Sequence, residues 1–281
     1  MGKNMENIKG VYKQQGALPG KTVAIFCGVH GNERVGIRAV QNALKNIRVK
    51  RGVVYFVEAN PLAIEKNLRL INKNLNRCFL KGNNGDTEED ARARELMTLL
   101  DSCDALLDIH SSNSKDTTPF IICEPDALEI VKFFEFPIIS FGWDAIEPGG
   151  ADGYMFRNNK IGICAECGSV SDPDSNLPIA EQAIKIFLSH FDMLEENLVL
   201  NSFPHRFIKA HTVGHKKTND LVFTKDYKDF ALLEDGEIFA KDGESEHRAE
   251  KDDCIIFPRP NAPMGGEAFI LGKEIPSPNT F

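Results

Sequence analysis

Long apolar runs, internal repeats and an excess of basic residues are all missing from this sequence of 281 residues. No run approaches the length of a membrane span, and the first 20 residues lack the apolar core of a signal peptide. Acidic residues outnumber basic ones by 41 to 33, which argues against nucleic-acid binding because such binding depends on basic contacts to phosphate. These absences predict a soluble, cytoplasmic protein that binds neither nucleic acid nor a membrane.

The sequence also lacks a cysteine framework of the kind that stabilises small secreted domains. Its seven cysteines are odd in number and irregularly spaced, which suits a reducing compartment. Cys164 and Cys167 form one C-x-x-C motif, but the sequence has no second pair and predicts no helix directly after the motif. We therefore expect buried free thiols rather than a redox pair or a structural zinc site.

The composition, with 42% hydrophobic and 26% charged residues, is that of an ordinary globular protein. Strand-like and helix-like runs alternate between residues 21 and 191, which predicts an α/β fold with helices covering a largely parallel central sheet. One helix follows DTEED, in which Asp86 or Thr87 is a suitable N-cap. The predicted strands are 23–26, 53–59, 105–109, 120–123, 137–141 and 161–165, and the predicted helices are 33–44, 88–100, 127–134 and 179–194.

After about residue 197 the pattern changes to short β-like runs. HRFIKAHTV, DLVFT, EIFA, CIIFP and AFIL are separated by turn signals such as Glu234-Asp235-Gly236. The chain is near the size at which a single hydrophobic core stops growing, so two domains are expected. We place an α/β domain at residues 1–197 and a smaller β domain at residues 198–281.

The stretch CGVHGNERVG, residues 27–36, places His30 and Glu33 in a tight bend directly after an apolar strand. Ligands gather at the carboxyl ends of parallel strands, and the glycines allow the sharp turn that brings the two side chains to one side. Imidazole nitrogens and carboxylate oxygens are good zinc ligands, although a catalytic zinc site usually needs three protein ligands. The motif alone also occurs by chance, so a third ligand is needed to favour the metal interpretation.

The only other histidine in the first 189 residues is His110, which ends the apolar strand in ALLDIHSSNS. It has the strand-end position that a third ligand requires, and the combination favours a metal site made of His30, Glu33 and His110. Strand alternation puts Asp108 on the same face as His110, where its carboxylate is suited to orient the imidazole.

A polar segment between these motifs, residues 60–79, contains Arg69, Asn76 and Arg77. It begins where a predicted strand ends, at the same edge of the sheet as the candidate metal ligands. The planar guanidinium of arginine suits both a carboxylate and the oxyanion of a tetrahedral intermediate. A solvated surface loop has similar polarity, so this segment alone leaves the two interpretations open.

Glu166 ends a further buried strand within YMFRNNKIGICAECGSV, residues 154–170. A partly desolvated glutamate beside a metal-activated water can act as general base and then as general acid. Arg157, just upstream of the strand, is another candidate for binding a carboxylate. The alternative for Glu166 is an ordinary ion pair with a nearby basic residue.

Taken in order, these motifs resemble those of the aspartoacylase and succinylglutamate desuccinylase family, relatives of the zinc carboxypeptidases. The family signatures H-G-N-E, N-P-x-A, N-R, D-x-H and E-x-G occur here at residues 30–33, 60–63, 76–77, 108–110 and 166–168. The resemblance covers most of the chain and is loosest in the C-terminal region. It implies a mixed, largely parallel central sheet flanked by helices, with the C-terminal β domain shaping the substrate entrance.

The resemblance also implies roles in catalysis. One zinc ion per chain would be bound by His30, Glu33 and His110. Glu166 would be the general acid/base, and Arg69 would polarise the scissile carbonyl.

For substrate binding, the resemblance implies that Asn76, Arg77 and Arg157 hold carboxylate groups and that Tyr154 lines the same pocket. Two departures from the family pattern are present. The family usually has aspartate at the position of Asn74, and aspartoacylases contribute a tyrosine from the C-terminal domain, which NAPMGGEAFIL lacks. The acyl group and the amino acid that are recognised therefore stay open.

The main hypothesis is a zinc-dependent hydrolase that cleaves the amide bond of a small anionic N-acyl amino acid, of the N-acetyl-aspartate or N-succinyl-glutamate type. The first alternative is a metallocarboxypeptidase acting on peptides, because those enzymes share the H-x-x-E pattern. The second is a non-catalytic module with a closed structural zinc site, for which His205, His211 and His215 offer a fourth ligand. The oligomeric state stays open, with a homo-oligomer among the options.

Overall fold

The computed structural model describes residues 8–115 and 117–278, which form fourteen β-strands and seven α-helices. The strands are β1 (Val11–Gln15), β2 (Leu18–Cys27), β3 (Arg51–Glu58), β4 (Ala105–Ser112), β5 (Phe120–Cys123), β6 (Ile138–Phe141), β7 (Ile161–Ser169), β8 (Arg206–His215), β9 (Val222–Phe223), β10 (Ala231–Leu232), β11 (Ile238–Asp242), β12 (Ser245–Arg248), β13 (Asp253–Ile256) and β14 (Glu267–Ile275). The helices are α1 (Arg34–Asn46), α2 (Pro61–Lys66), α3 (Glu88–Leu100), α4 (Leu128–Val131), α5 (Trp143–Ile146), α6 (Ala151–Arg157) and α7 (Pro173–His190). Within these residues, no helix has both the length and the apolarity that crossing a membrane requires.

Eleven strands form one mixed sheet in the order β1-β3-β2-β4-β7-β5-β6-β8-β14-β13-β10. Strands β3, β2, β4 and β7 are parallel, β5 runs antiparallel to β7, and β5, β6 and β8 are again parallel to one another. Strands β2, β4 and β7 therefore end at one edge, where the pairing sets His110 beside Glu166. The predicted fold class is confirmed, since a mixed, largely parallel sheet with flanking helices is followed by an antiparallel β region.

The central strands are apolar along most of their length because helices cover both faces of the sheet. Successive side chains of β2 pack into different hydrophobic cores, one on each face of the sheet. Ile25 packs on the side of α1 and α7, and Phe26 packs on the side of α3. Leu107 and Leu106 of β4 divide in the same way, and all four side chains are fully buried. Continuous apolar runs, rather than strict alternation, therefore mark these strands in the sequence.

Helix α3 begins as the sequence predicts. The hydroxyl of Thr87 accepts a hydrogen bond from the backbone N–H of Asp90, whose side chain accepts one from the N–H of Thr87, so a capping box is complete. The helix expected at residues 179–194 begins earlier, because Pro173 occupies the first helical position, where its missing N–H leaves no bond unmade. The helix expected at residues 127–134 is reduced to α4, which follows a short 3₁₀ turn.

The C-terminal region contributes strands to two sheets. Strands β8, β14, β13 and β10 extend the central sheet, antiparallel to one another, while β9, β11 and β12 form a separate three-stranded sheet. Phe239 and Phe269 pack edge to face in the core of this region, with their ring centroids 4.9 Å apart. Gly236 has a φ of 76° and lies in a predicted turn. The central sheet is continuous across the boundary that the sequence places at residue 197.

All seven cysteines are free and buried. Cys164 and Cys167 lie three residues apart on β7, so their side chains point to opposite faces of the sheet and pack in different hydrophobic cores. The C-x-x-C motif therefore contributes two separate buried thiols, as the sequence predicts.

Candidate metal centre and substrate cavity

Three side chains at the carboxyl ends of two neighbouring strands meet in one buried group, composed of His30 and Glu33, which follow β2, and His110, near the end of β4. One nitrogen or oxygen atom of each lies within 4.8 Å of those of the others. Nδ1 of His30 is 2.6 Å from Oε1 of Glu33, and Nδ1 of His110 is 3.0 Å from Oε2 of the same carboxylate. The structure thus brings the three predicted ligands together, with both imidazoles presenting the same nitrogen to one carboxylate.

Two glycines shape the bend that carries the first two ligands. Gly28 has a φ of 63°, in the left-handed region that other residues avoid, and a Cβ atom at Gly31 would overlap the backbone of Ala63 in α2. Glu33 is the N-cap residue of α1, but its side chain makes no capping hydrogen bond. The bend instead turns the carboxylate of Glu33 and the ring of His30 toward the end of β4.

His30, Glu33 and His110 are only 5%, 1% and 2% exposed. Any charge on these buried side chains must therefore be compensated by an opposite charge nearby. Burial acts to raise the pKa of Glu33, but the adjacent imidazoles of His30 and His110 hold that pKa well below its ordinary value. Burial lowers the pKa of His30. A buried carboxylate that stays ionised needs positive charge beside it, and a divalent cation would supply that charge. Two imidazole nitrogens and one carboxylate oxygen form a donor set that fits zinc.

Neighbouring groups orient the candidate ligands. The backbone N–H of Ser111 donates a hydrogen bond of 3.1 Å to Oε2 of Glu33. Oδ2 of Asp108 lies 3.0 Å from Nε2 of His110, although the two atoms are poorly aligned for a hydrogen bond. Asp108 therefore lies beside His110, as strand alternation predicts, at the nitrogen that would carry the proton if Nδ1 bound a metal.

The amide of Asn74 supports the first imidazole. Its Oδ1 lies 3.0 Å from Nε2 of His30 and also accepts a hydrogen bond of 3.0 Å from the backbone N–H of Asn76. An acceptor oxygen is thus present where the family pattern has an aspartate, without the negative charge.

Glu166 lies in the carboxyl-terminal half of β7, which continues to Ser169, and pairs with His110 of β4. Only 8% of the residue is exposed. Burial raises the pKa of Glu166 to about 7. Its Oε2 atom has no hydrogen-bond partner within residues 8–115 and 117–278. A carboxyl group with this pKa exchanges a proton readily near neutral pH.

A cavity of about 90 Å³ lies beside the candidate ligands and Glu166, and a wider groove of about 750 Å³ adjoins it. The cavity combines an apolar wall with a strongly charged one. Its apolar side chains include Ile122, Trp143 and Phe257, and its polar ones include Arg69, Asn74, Asn76, Arg77, Asp144, Glu147, Asp152, Arg259 and Glu267. This combination suits a small polar molecule with one apolar side.

Besides Glu166, three predicted substrate or catalytic residues line this cavity: Arg69, Asn76 and Arg77. Nη1 of Arg69 is 3.1 Å from Oε1 of Glu33, which places its guanidinium next to the candidate metal centre. Nη2 of Arg77 is 3.3 Å from Oε2 of Glu267, a residue of the C-terminal region. The segment that contains these arginines is therefore part of the cavity wall and more than a solvated surface loop.

The two other predicted substrate-binding residues, Tyr154 and Arg157, lie on α6. Among the described residues, neither belongs to the cavity lining. The hydroxyl of Tyr154 donates a hydrogen bond of 2.6 Å to Asp101, and its ring packs in the core beside α3. The guanidinium of Arg157 pairs with Asp144 and donates a bond of 2.7 Å to the carbonyl oxygen of Phe79. Contact of Tyr154 or Arg157 with substrate stays a prediction.

Sequence reasoning missed five charged residues of the cavity wall: Asp144, Glu147, Asp152, Arg259 and Glu267. Burial raises the pKa of Asp152 to about 6. The segment FPRPNAPMGGE gives only a weak signal for the last two, namely two charged residues in a loop that is otherwise rich in proline and glycine. Among the described residues, the C-terminal region supplies this wall with an arginine and no tyrosine.

The histidines considered for a closed zinc site belong to other contacts. Nδ1 of His205 lies 2.7 Å from the carbonyl oxygen of Phe136, and Nε2 of His211 lies 3.0 Å from Oδ1 of Asp253. The potential metal-ligand group found in the part of the chain that the structure describes contains neither of them, nor His215.

A buried His-Glu-His group at the carboxyl ends of parallel strands, next to a cavity that an antiparallel β region helps to enclose, defines an α/β protein with a candidate mononuclear metal site. The chain belongs to the succinylglutamate desuccinylase/aspartoacylase family. The model of the family's catalytic domain matches residues 19–194, and that of its AstE/AspA barrel-sandwich hybrid domain matches residues 205–274. The resemblance seen in the ordered motifs is therefore confirmed.

Individual relatives are distant in sequence but similar in fold. A succinylglutamate desuccinylase from Shewanella sp. is 21% identical, over 89% of this chain and 82% of its own length. A probable aspartoacylase from Nostoc sp. is 26% identical, over 62% of this chain and 64% of its own length. The structure of a succinylglutamate desuccinylase from Vibrio parahaemolyticus has a TM-score of 0.79 at 20% identity and covers 95% of this chain and 87% of that one. This structural similarity establishes a shared fold.

Proposed function

We propose that this chain is a zinc-dependent amidohydrolase that removes the acyl group from a small anionic N-acyl amino acid, of the N-acetyl-aspartate or N-succinyl-glutamate type. The observation that carries the proposal is the convergence of His30, Glu33 and His110 beside Glu166 at one cavity. Relatives named succinylglutamate desuccinylase and probable aspartoacylase support the reaction class.

The proposed mechanism assigns proton transfer to Glu166. A zinc ion held by His30, Glu33 and His110 supplies Lewis-acid chemistry, which makes water a stronger nucleophile and an amide carbonyl a stronger electrophile. Glu166 takes a proton from the attacking water and then gives it to the leaving amine as the carbon–nitrogen bond breaks. The carboxylate is thereby regenerated, and a pKa near 7 suits both transfers.

The cationic and amide side chains would hold the substrate. Arg69, next to Glu33, is placed to stabilise the negative charge that develops on the carbonyl oxygen. Asn76 and Arg77 would bind a substrate carboxylate from the polar wall. Arg157 and Tyr154 would contribute from α6, whose first turn lines the cavity.

The small volume of the cavity beside the candidate ligands supports a small substrate. The cavity has a volume of about 90 Å³, and Phe257, Arg259 and Glu267 of the C-terminal region form part of its wall. We propose accordingly that residues 1–197 form the catalytic domain and that residues 198–281 shape the entrance. We also propose that the protein works in the cytoplasm, where its free thiols would stay reduced.

A deacylation screen on metal-analysed protein tests the proposal. N-acetyl-L-aspartate, N-succinyl-L-glutamate, N-acetyl-L-alanine and a panel of short peptides are assayed for release of a free amino acid. We expect the acidic N-acyl amino acids to be preferred, with activity lost on chelation and restored by zinc. Preference for N-acetyl-L-alanine would contradict an anionic substrate. Release of C-terminal residues from peptides alone would favour a carboxypeptidase.

A further inference from the structure

The charged wall of the cavity carries Arg259, which two neighbours hold in place. Its Cζ atom lies 5.0 Å from the ring centroid of Phe257, and its Nη1 atom lies 2.9 Å from Oε1 of Glu267. The side chain is 32% exposed and lines both the cavity and the adjoining groove. The guanidinium is therefore fixed before a ligand arrives, which reduces the entropy lost on binding.

Arg77, on the same wall, has much more of its hydrogen-bonding capacity occupied. Its Nη1 donates a bond of 2.8 Å to the carbonyl oxygen of Asn76, its Nε pairs with Glu147, and its Nη2 lies 3.3 Å from Glu267. For Arg259, neither Nε nor Nη2 has an acceptor among the residues that the structure describes. Arg259 therefore keeps more free donors than Arg77, while Arg69, the third arginine of this wall, is directed at Glu33 of the candidate metal centre.

We propose that Arg259 is a substrate-binding residue contributed by the C-terminal region, and that its guanidinium binds a carboxylate of the N-acyl amino acid. The inference rests on the proposed deacylase function. Nε and Nη2 form one edge of the guanidinium plane, the fork that matches the two oxygens of a carboxylate. The apolar side chains of Trp143 and Phe257 lower the local dielectric, which strengthens this contact.

The test compares R259Q and R259K with the wild type, each as the full, metal-loaded chain. R206Q is the matched control, because Arg206 also pairs with a glutamate of β14, Glu274 at 2.8 Å, but lies outside the cavity lining. One readout is kcat and KM for N-acetyl-L-aspartate and for N-acetyl-L-alanine, which lacks the side-chain carboxylate. The other is the Kd of succinate measured by calorimetry, which requires no turnover.

R259Q is expected to raise the KM for N-acetyl-L-aspartate and the Kd of succinate roughly 10- to 100-fold, with a smaller change in kcat. R259K should give KM and Kd values between those of the wild type and R259Q, because lysine keeps the positive charge but lacks the two parallel donors of the guanidinium. If R259Q raises the KM for N-acetyl-L-alanine by the same factor, Arg259 binds the α-carboxylate. If KM rises only for N-acetyl-L-aspartate, Arg259 binds the side-chain carboxylate.

Values for R259Q within about twofold of the wild type, or an equal loss in R206Q, would overturn the assignment of Arg259. A wild type that hydrolyses none of the N-acyl amino acids would contradict the deacylase function separately. In that case the Kd of succinate alone tests the assignment of Arg259. Loss of succinate affinity in R259Q but not in R206Q supports the assignment, and unchanged affinity, or no succinate binding by the wild type, refutes it.

Discussion

The backbone N–H of Ser111 donates a hydrogen bond of 3.1 Å to Oε2 of Glu33, a residue 78 positions earlier in the chain. The bond joins the bend after β2 to the end of β4, so that His30 and His110 meet at the two oxygens of one carboxylate. Glu33 is thus central to the candidate metal site, because both imidazoles contact its carboxylate.

Glu33→Gln is expected to remove zinc from the purified protein, because a neutral amide loses the negative charge that a dication needs and binds it weakly. Metal analysis should give about one zinc ion per wild-type chain and close to none for the variant. Glu65→Gln, an exposed position on α2, is the control and should keep its zinc. A Glu33→Gln protein with its full zinc content would show that the metal is bound elsewhere.

Glu166→Gln is expected to lower kcat roughly 100- to 10,000-fold while KM changes little, because the amide cannot accept the proton of the attacking water. Steady-state kinetics on N-acetyl-L-aspartate measure this, and metal analysis of the same preparation establishes that zinc is still bound. Near-normal turnover with zinc in place would mean that another group transfers the proton.

The loop that carries Arg69 depends on the buried carboxylate of Glu89. That carboxylate accepts backbone hydrogen bonds from Ile71 at 2.8 Å and from Asn72 and Lys73 at 3.3 Å each. Only 1% of Glu89 is exposed, whereas its neighbour Glu88 is an exposed residue on the same helix turn.

Glu89→Gln is therefore expected to lower kcat/KM at least about tenfold without loss of zinc, because the segment next to Arg69 loses charge-assisted hydrogen bonds. Glu88→Gln is the matched control and should leave both quantities unchanged. Equal kinetics for the two variants would show that the loop is held by other contacts.

Glu237, the residue before β11, should be one source of the loss of folding stability at low pH. Lys225 is the main cause that lowers the pKa of Glu237 from 4.5 to about 2, together with the backbone N–H of Glu234 and the hydroxyl of Tyr227. A carboxyl group whose pKa is lower in the folded state stabilises that state above its ordinary pKa. This stabilisation is lost as the pH falls from about 4.5 toward about 2.

Glu237→Gln is accordingly expected to lower the free energy of unfolding at pH 7 by on the order of 1–3 kcal/mol. The difference from the wild type should narrow as the pH is lowered from 4.5 to 3, as followed by urea denaturation at each pH. Glu244→Gln, exposed in the turn after β11, is the control. A difference that is constant across this range would assign the effect to packing instead of charge.

The convergence of the candidate metal ligands was predictable because the sheet restricts where strand ends can lie. Residues at the carboxyl ends of parallel strands share one edge, so His30 and His110 had to be close once β2 and β4 were neighbours. Two histidines in the first 189 residues made the choice of ligands nearly unique. Glu166 follows by the same reasoning, through the pairing of β4 with β7.

The contribution of the C-terminal region was not predictable in this way. Arg77 and Glu267 are 190 positions apart, and their contact depends on how β14 pairs with β8 and how β8 pairs with β6. No local pattern encodes those pairings. The role of Glu89 in holding the loop could not be predicted for a different reason. An acidic residue in the first turn of a helix is already explained by the helix dipole.

The parallel pairing of β6 with β8, from Ile138 opposite Arg206 to Phe141 opposite Lys209, joins the two regions of the chain by a hydrogen-bonded ladder rather than a flexible linker. Swinging the C-terminal region away as a rigid body would break that ladder and leave its backbone groups unpaired. Access to the candidate metal centre would therefore not require the two regions to separate, and molecules would enter by way of the adjoining groove.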